Sequence, residues 1–196
     1  MSPRAGLSAE RITSAAAELA DEIGFDKVTL SAVARGFGVK DPSLYAHVRN
    51  LHDLRVRIAL LASGEMADRI AAAVAGRSGR DALFGFAGAY RGYALDHPGR
   101  YAATQMRLDP AEVGDHPAFL RTIELTTALL RGYGLDEPAA TDAVRLLRST
   151  FHGFATLEAA GGFAHPRPTD TSWEHILDAL HRTLEQWRHT DKEHGQ

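Results

Sequence analysis

Six residues in one short stretch carry groups suited to a nucleic acid: Lys40, Asp41, Ser43, Tyr45, His47 and Asn50. Together they offer an ammonium, two hydroxyls, an imidazole, a carboxylate and an amide. That is a donor and acceptor set able to meet base edges and phosphate oxygens. Leu44 and Val48, four apart, can bury the back of a helix and leave the polar set outward. Lys40, Asp41, Ser43 and Tyr45 are the candidates for base edges or nearby phosphates, and Thr29, Arg35, Tyr45, His47 and Asn50 for phosphates. Tyr45 can take either role, or it can simply pack.

Two short helices joined by a tight turn must position these groups, the pattern of a helix-turn-helix. Thr29 or Ser31 can cap the first. Leu30, Val33, Ala34 and Phe37 give it an apolar side, and Gly38 ends it where a left-handed backbone suits glycine. Asp41 is expected to cap the second, with Pro42 in its first turn. Helices this short need neighbours. Upstream, Ser8 can cap a helix with Ile12, Ala15, Ala16, Leu19 and Ile23 at apolar spacing, stopped by Gly24. Downstream, Asp53 is expected to cap a longer helix through Leu54, Ile58, Leu61, Met66 and Ile70.

Composition excludes several classes. Residues 1–60 hold eight Lys or Arg against seven Asp or Glu, while the whole chain carries −3. The front end is thus slightly positive, and DNA binding must rest on a few well-placed cations. There are no cysteines, so no disulfide and no thiolate metal site. No apolar run approaches a transmembrane span, and Met1–Gly6 lacks the apolar centre of a signal peptide, so no membrane partner is expected. Residues 1–7 read as a flexible arm; Arg4 in it either touches a phosphate or minor groove or belongs to a disordered tail.

From Asp53 onward the sequence reads as helices separated by Gly and Pro breaks, with no alternating run for a sheet. His97-Pro98-Gly99 is expected to end the helix over 79–96, and further helices are expected over 136–160 and from Asp170 or Thr171 to about Arg188. In the first of these, Gly85, Gly88 and Gly92 share one stripe and Phe86, Tyr90 and Tyr93 another. The glycines permit either close helix approach or free volume beside an aromatic wall, which would be a pocket. Its candidate lining is Phe86, Tyr90, Tyr93, Met106, Phe119, Ile123, Phe151 and His152. Arg145, Arg148, His152 and Thr156 form a polar stripe, either a solvated face or the polar end of that pocket. Trp173, Leu177, Leu180, Leu184 and Trp187 line one side of the last helix, an apolar face that must cover something: its own core or, together with Phe154, a second copy of the chain.

The expected class is all-α: a three-helix DNA-binding domain over 1–53, then an antiparallel helical ligand-binding and dimerisation domain over 54–196, its last residues 190–196 a disordered tail. Gly24-Phe25, Val28-Thr29, Ala34, Gly38-Val39, Leu44-Tyr45, His47-Val48, Asn50 and Leu54 together resemble the TetR family of bacterial transcriptional regulators. The resemblance runs over about residues 8–60. It departs at Leu51, where the family often has a phosphate-binding lysine, and at Ala46, where a large aromatic is common. Phe151-His152-Gly153 also looks like a Trp-His-Gly motif of one family subclass, with Phe for Trp. The resemblance implies a cytoplasmic homodimer on a palindromic double-stranded DNA operator, most simply a repressor released by a small molecule, for which the aromatic wall suits an apolar or aromatic one.

Two other functions compete. A helical binding or scaffolding protein without operator binding is kept in view by Leu51 and the weak charge. An enzyme is invited by ten histidines, but none forms a dense ligand set, and no serine elbow or phosphate-binding glycine loop appears. No catalytic residue, metal or cofactor is expected.

Overall fold

The computed structural model describes residues 7–193, and for Phe119 and 188–193 the backbone alone. Arg4 lies outside the described residues. Nine α-helices and two single 3₁₀ turns run through them: α1 (Ala9–Ile23), α2 (Leu30–Gly36), α3 (Leu51–Val74), α4 (Gly79–Asp96), α5 (Pro98–Thr104), α6 (Pro110–Val113), α7 (Pro117–Gly132), α8 (Ala139–Ala159) and α9 (Thr169–Glu193), with 3₁₀ turns at Phe25–Lys27 and Asp41–Ser43. No strand occurs among the described residues.

The chain packs as two units. The first takes residues up to Glu65 and His97–Phe119; the second takes Met66–Asp96 and the chain from Leu120 onward. The boundary expected at 53/54 therefore falls elsewhere. The first half of α3 contributes Leu54, Ile58 and Ala59 to the first core, and α5 contributes Ala103. Hydrophobic periodicity runs unbroken along α3, so it does not mark the residue at which the partner helices change. Leu7 packs against the same core, so the arm is shorter than 1–7. At the C-terminal end α9 continues to Glu193, well into the segment expected as a tail.

Local chemistry explains the first unit. Ser8 Oγ accepts the Arg11 N–H, and Gly24, at φ 93°, ends α1. Thr29, not Ser31, caps α2, its hydroxyl accepting the Ala32 N–H at 3.2 Å. Gly38 turns the chain at φ 65°. The α5 segment, expected only as a helix-ending break, is itself a helix. Pro98 fits its first turn, and Asp21 of α1 accepts the Arg100 N–H at 2.8 Å, so a carboxylate from another helix does the work of a cap. Asp21 also lies 3.1 Å from His97 Nδ1, and Arg100 reaches Glu65 on α3 at 3.3 Å. At this crossing Gly99 is obligatory: a Cβ there would sit 1.9 Å from the Ala20 carbonyl oxygen.

The second unit is held by larger groups. Phe86, Tyr90 and Tyr93 of α4, Phe151 and Phe154 of α8, and Trp173, Leu177, Leu180 and Leu184 of α9 are all buried. The Phe151 ring lies 5.7 Å from Tyr90 and 5.6 Å from Trp173 between centroids, and Phe154 lies 4.7 Å from Trp173. Arg91 crosses this cluster. Its Nε donates to Glu158 at 2.7 Å, its Nη1 lies 2.7 Å from Asp170, and its guanidinium stands over Phe154 and Trp173. The bonds from Arg91 hold the Glu158 carboxyl below its ordinary value, against the opposing effect of burial.

Candidate nucleic-acid interface

The polar set of residues 40–50 is presented by a turn rather than by a regular second helix. Ser43 N–H donates to the Lys40 carbonyl at 2.9 Å and Leu44 N–H to Asp41 at 3.0 Å, a single 3₁₀ turn. His47 and Val48 N–H groups then both close onto the Leu44 carbonyl. Asp41 does not cap this segment: its carboxylate accepts the Ser31 hydroxyl instead. Without that cap, and with Pro42 donating nothing, the short segment tightens into 3₁₀ and turn geometry. Leu44 and Val48 are buried at 0% and 1% exposure, which fixes the turn to the core and leaves the intervening residues outside.

Of the candidates, Thr29, Arg35, Lys40, Ser43 and Asn50 are exposed, and Asp41 and His47 are half-buried. Tyr45 is 55% exposed, which removes the packing role. Three of the set have structural work. Thr29 caps α2, Asp41 holds Ser31, and Asn50 caps α3 by accepting the Asp53 N–H at 2.9 Å. Asp53, expected as that cap, reaches back one residue beyond Asn50 and accepts the Arg49 N–H at 3.0 Å, so it fixes the chain entering α3. Burial acts to raise the Asp53 carboxyl, but the Arg49 N–H and Arg57 outweigh it and hold it below its ordinary value. Arg35, Lys40, Ser43, Tyr45 and His47 remain as donors on the exposed side. Arg49, which sequence reasoning passed over, is exposed beside them; its place between Val48 and Asn50 in the same run was the available signal. Leu51 is half-buried at the start of α3.

The residues expected to line a pocket do not all come together. Phe86, Tyr90 and Phe151 form one ring cluster, with Phe86 and Phe151 centroids 6.2 Å apart, and Tyr93 is buried on the same helix as Phe86 and Tyr90. His152 is half-buried. Met106 packs against the core of the first unit, because α5 carries it there. Ile123 is 51% exposed on α7. The Phe119 side chain lies outside the described residues. Of the stripe glycines, Gly85 marks a close approach, since a Cβ would lie 2.6 Å from the Ala73 carbonyl oxygen, and Gly92 faces Arg69. Gly88 meets nothing within 4 Å and is exposed. Arg145, Arg148 and Thr156 are exposed, and Arg145 pairs with Asp142.

The candidate dimer stripe lies largely inside the same core. Phe154, Trp173, Leu177, Leu180 and Leu184 are each under 9% exposed within the single chain, because α4 and α8 cover that side of α9. Trp187 alone of the set is half-buried. Beside the buried stripe, Leu157 of α8 is 50% exposed, a Cβ on Gly153 would meet nothing within 4 Å, and Ala179 and Thr183 of α9 are exposed.

Among the described residues no three His, Asp or Glu side chains gather as a metal-binding group, and no helix is long and apolar enough to cross a membrane.

Comparison with known proteins matches this geometry. The family model described as bacterial regulatory proteins, tetR family, covers residues 12–54, and that described as tetracyclin repressor-like, C-terminal domain, covers residues 83–180. The HTH-type transcriptional regulator YobS of Bacillus subtilis (strain 168) is 36% identical over 185 residues, spanning 92% of this chain and 90% of its own. A further HTH-type transcriptional regulator, from Mycobacterium tuberculosis, is 39% identical over 162 residues, spanning 80% of this chain and 72% of its own. Among solved structures, a Rhodococcus sp. RHA1 protein of unknown function superposes with a TM-score of 0.74 at 25% identity, over 95% of this chain and all of its own. A TetR variant from Acinetobacter baumannii AYE, in complex with minocycline, superposes with a TM-score of 0.69 at 23% identity, over 93% of this chain and 99% of its own. With a helix-turn-helix unit followed by a helical domain, and relatives above 30% identity along most of its length, this chain belongs to the TetR family of bacterial regulatory proteins.

Proposed function

We propose that the protein is a cytoplasmic, ligand-responsive repressor that binds a palindromic double-stranded operator as a homodimer. The observation that carries this reading is the turn at residues 40–48. Leu44 and Val48 are buried to within 1% while Lys40, Ser43 and Tyr45 stand exposed between and beside them. A polar tip fixed to a core in this way positions donors at a major groove, where each good bidentate base contact discriminates by about 1–3 kcal/mol. Arg35, Lys40, His47 and Arg49 supply the phosphate contacts in this reading, and Ser43 and Tyr45 reach base edges. Two copies present two tips, and half-sites one helical turn apart, about 34–36 Å, accept them.

The dimer forms through the outer faces of α8 and α9, where Gly153, Ala179 and Thr183 leave a strip of small residues beside Leu157. The effector enters the second unit at the ring cluster of Phe86, Tyr90, Tyr93 and Phe151, with His152 as an orienting hydrogen-bond group, and displaces ring–ring contacts as it does so. A flat, largely apolar molecule suits such walls. The chemistry of a regulator, not of an enzyme, accounts for the residues on display.

The test is a gel shift on DNA flanking the protein's own gene. The wild type retards it in a salt-dependent way, and Tyr45→Ala, with unchanged melting, weakens it by about tenfold or more. Equal retardation by both proteins would remove the turn from the interface.

A further inference from the structure

The first unit carries a groove of about 510 Å³ that DNA contact does not account for. That volume falls in the range of small-molecule clefts, about 300–1,000 Å³. Three elements make its walls: Phe25 and Asp26 in the first 3₁₀ turn, Leu51, His52 and Arg55 in the first turns of α3, and Ala102, Gln105 and Met106 in and just after α5. Phe25, Leu51 and Met106 are apolar, and Arg55 is the one permanent cation among the lining residues.

Among the described residues, Arg55 is unlike the other partly buried arginines. Arg57 lies 3.1 Å from Asp53, Arg100 lies 3.2 Å from Asp21, and Arg91 is held by Glu158. Among the described residues no carboxylate pairs with Arg55. Of its five N–H donors, only Nη2 is used, donating to the Asp26 carbonyl at 3.0 Å, while the guanidinium rests 5.7 Å from the centre of the Phe25 ring. Its Nε is shut off from solvent without an acceptor. A partly buried cation with most of its donors idle is poised for an anion. Glu112, the acid that reaches the lining residue His52, is already engaged by it at 2.7 Å. Gln105 uses one amide hydrogen on Thr104 and has a second to offer.

We infer that this groove binds a small amphipathic monocarboxylate, separate from the effector region of the second unit. The carboxylate lies on the Nη edge of Arg55, with Gln105 as a second donor. The aliphatic or aryl body runs over Phe25, Leu51 and Met106. One negative charge fits better than two, because Asp26 is the single acid on the lining and offsets the single cation.

The full-length protein is titrated with octanoate, octanol and octylammonium while melting is followed, and the octanoate heat is measured by calorimetry. Octanoate is expected to raise the melting temperature saturably, by about 2–4 °C at excess ligand, and the other two to leave it unchanged. Arg55→Gln abolishes the shift by removing the cation. Ala102→Phe abolishes it by filling the groove; Ala102 is exposed, so this variant keeps the wild-type melting temperature without ligand and decides the matter should Arg55→Gln fold poorly. Absence of any shift with wild type would overturn the inference. So would an equal shift with octanol, or an undiminished octanoate shift in Ala102→Phe, which would place the ligand elsewhere. None of these outcomes bears on operator binding or on the effector region.

Discussion

The two units solve the same problem, packing helices, with opposite materials. In the first, α1 and α5 meet through backbone. Ala16, Ala17 and Ala20 are fully buried, and Gly99 sits where a single methyl group would strike the Ala20 carbonyl. In the second, α4, α8 and α9 are held apart by rings, with Phe151 touching Phe86, Tyr90 and Trp173 at centroid distances of 5.6–6.2 Å. Backbone contact leaves no slack, so it fixes helix position closely. Ring contacts tolerate several geometries of similar energy, so a ring-lined core can yield to a guest. A reading head and a sensing core call for those two behaviours.

The largest predicted effects break this contrast at one atom. Gly99→Ala should cost about 3 kcal/mol, the upper end for overpacking against backbone that cannot move aside. Gly88→Ala, in open space on α4, should be neutral or stabilise by up to about 1 kcal/mol. Urea denaturation of both variants checks the pair; comparable losses would mean that the first unit has no special rigidity.

A second pair separates core from interface in the sensing unit. Leu180→Glu places a charge at a position 7% exposed and should unfold that unit, a loss of about 3 kcal/mol or more. Leu157→Glu, at a position 50% exposed, should keep the helical circular dichroism and convert dimers to monomers in sedimentation. A folded, monomeric Leu180→Glu would return the dimer contact to the apolar stripe of α9.

That stripe shows where sequence was informative and where it was not. Caps are local, and Ser8 and Gly24 bound their helix as their chemistry dictates. The helix-turn-helix is local too, so Leu44 and Val48 were legible as the buried pair and Tyr45 as a residue between them. Capping choices within reach of several groups were not: Asn50 took the α3 cap from Asp53, and Ser31 drew Asp41 away from its own turn. Nor does an apolar stripe state what covers it. Trp173 and Leu180 read the same whether the cover is α4 of the same chain or a second copy. Met106 packs with the first unit and not with Phe86 and Phe151, because the α5 helix just before it was invisible behind His97-Pro98-Gly99, and the lone Arg55 carried no spacing signal at all.

Acid sharpens the comparison further. Because Glu158 has a lowered carboxyl pKa in the folded state, the stability it contributes is complete above its ordinary value of 4.5 and is lost as pH falls through the lower folded-state value. Wild type should therefore lose stability below about pH 5 more steeply than Glu158→Gln, although the variant is less stable at neutral pH. Identical acid limbs in urea titrations would remove the Arg91–Glu158 pair from the account.

The smallest effect concerns Leu51. Leu51→Lys should steepen the salt dependence of DNA binding by up to about one unit, with its stem kept along the half-buried site and its ammonium carried outward. An unchanged salt slope with a lower melting temperature would make Leu51 purely a packing residue.

Selection of bound duplexes from a random DNA pool tests the central claim most directly. Wild type should enrich a two-fold symmetric site whose half-site centres lie about one helical turn apart, and Tyr45→Ala, folded to the same degree, should enrich it weakly or not at all. Recovery of no motif by the wild type, or of the same motif with equal strength by Tyr45→Ala, would contradict a repressor that reads DNA through the turn at residues 40–48.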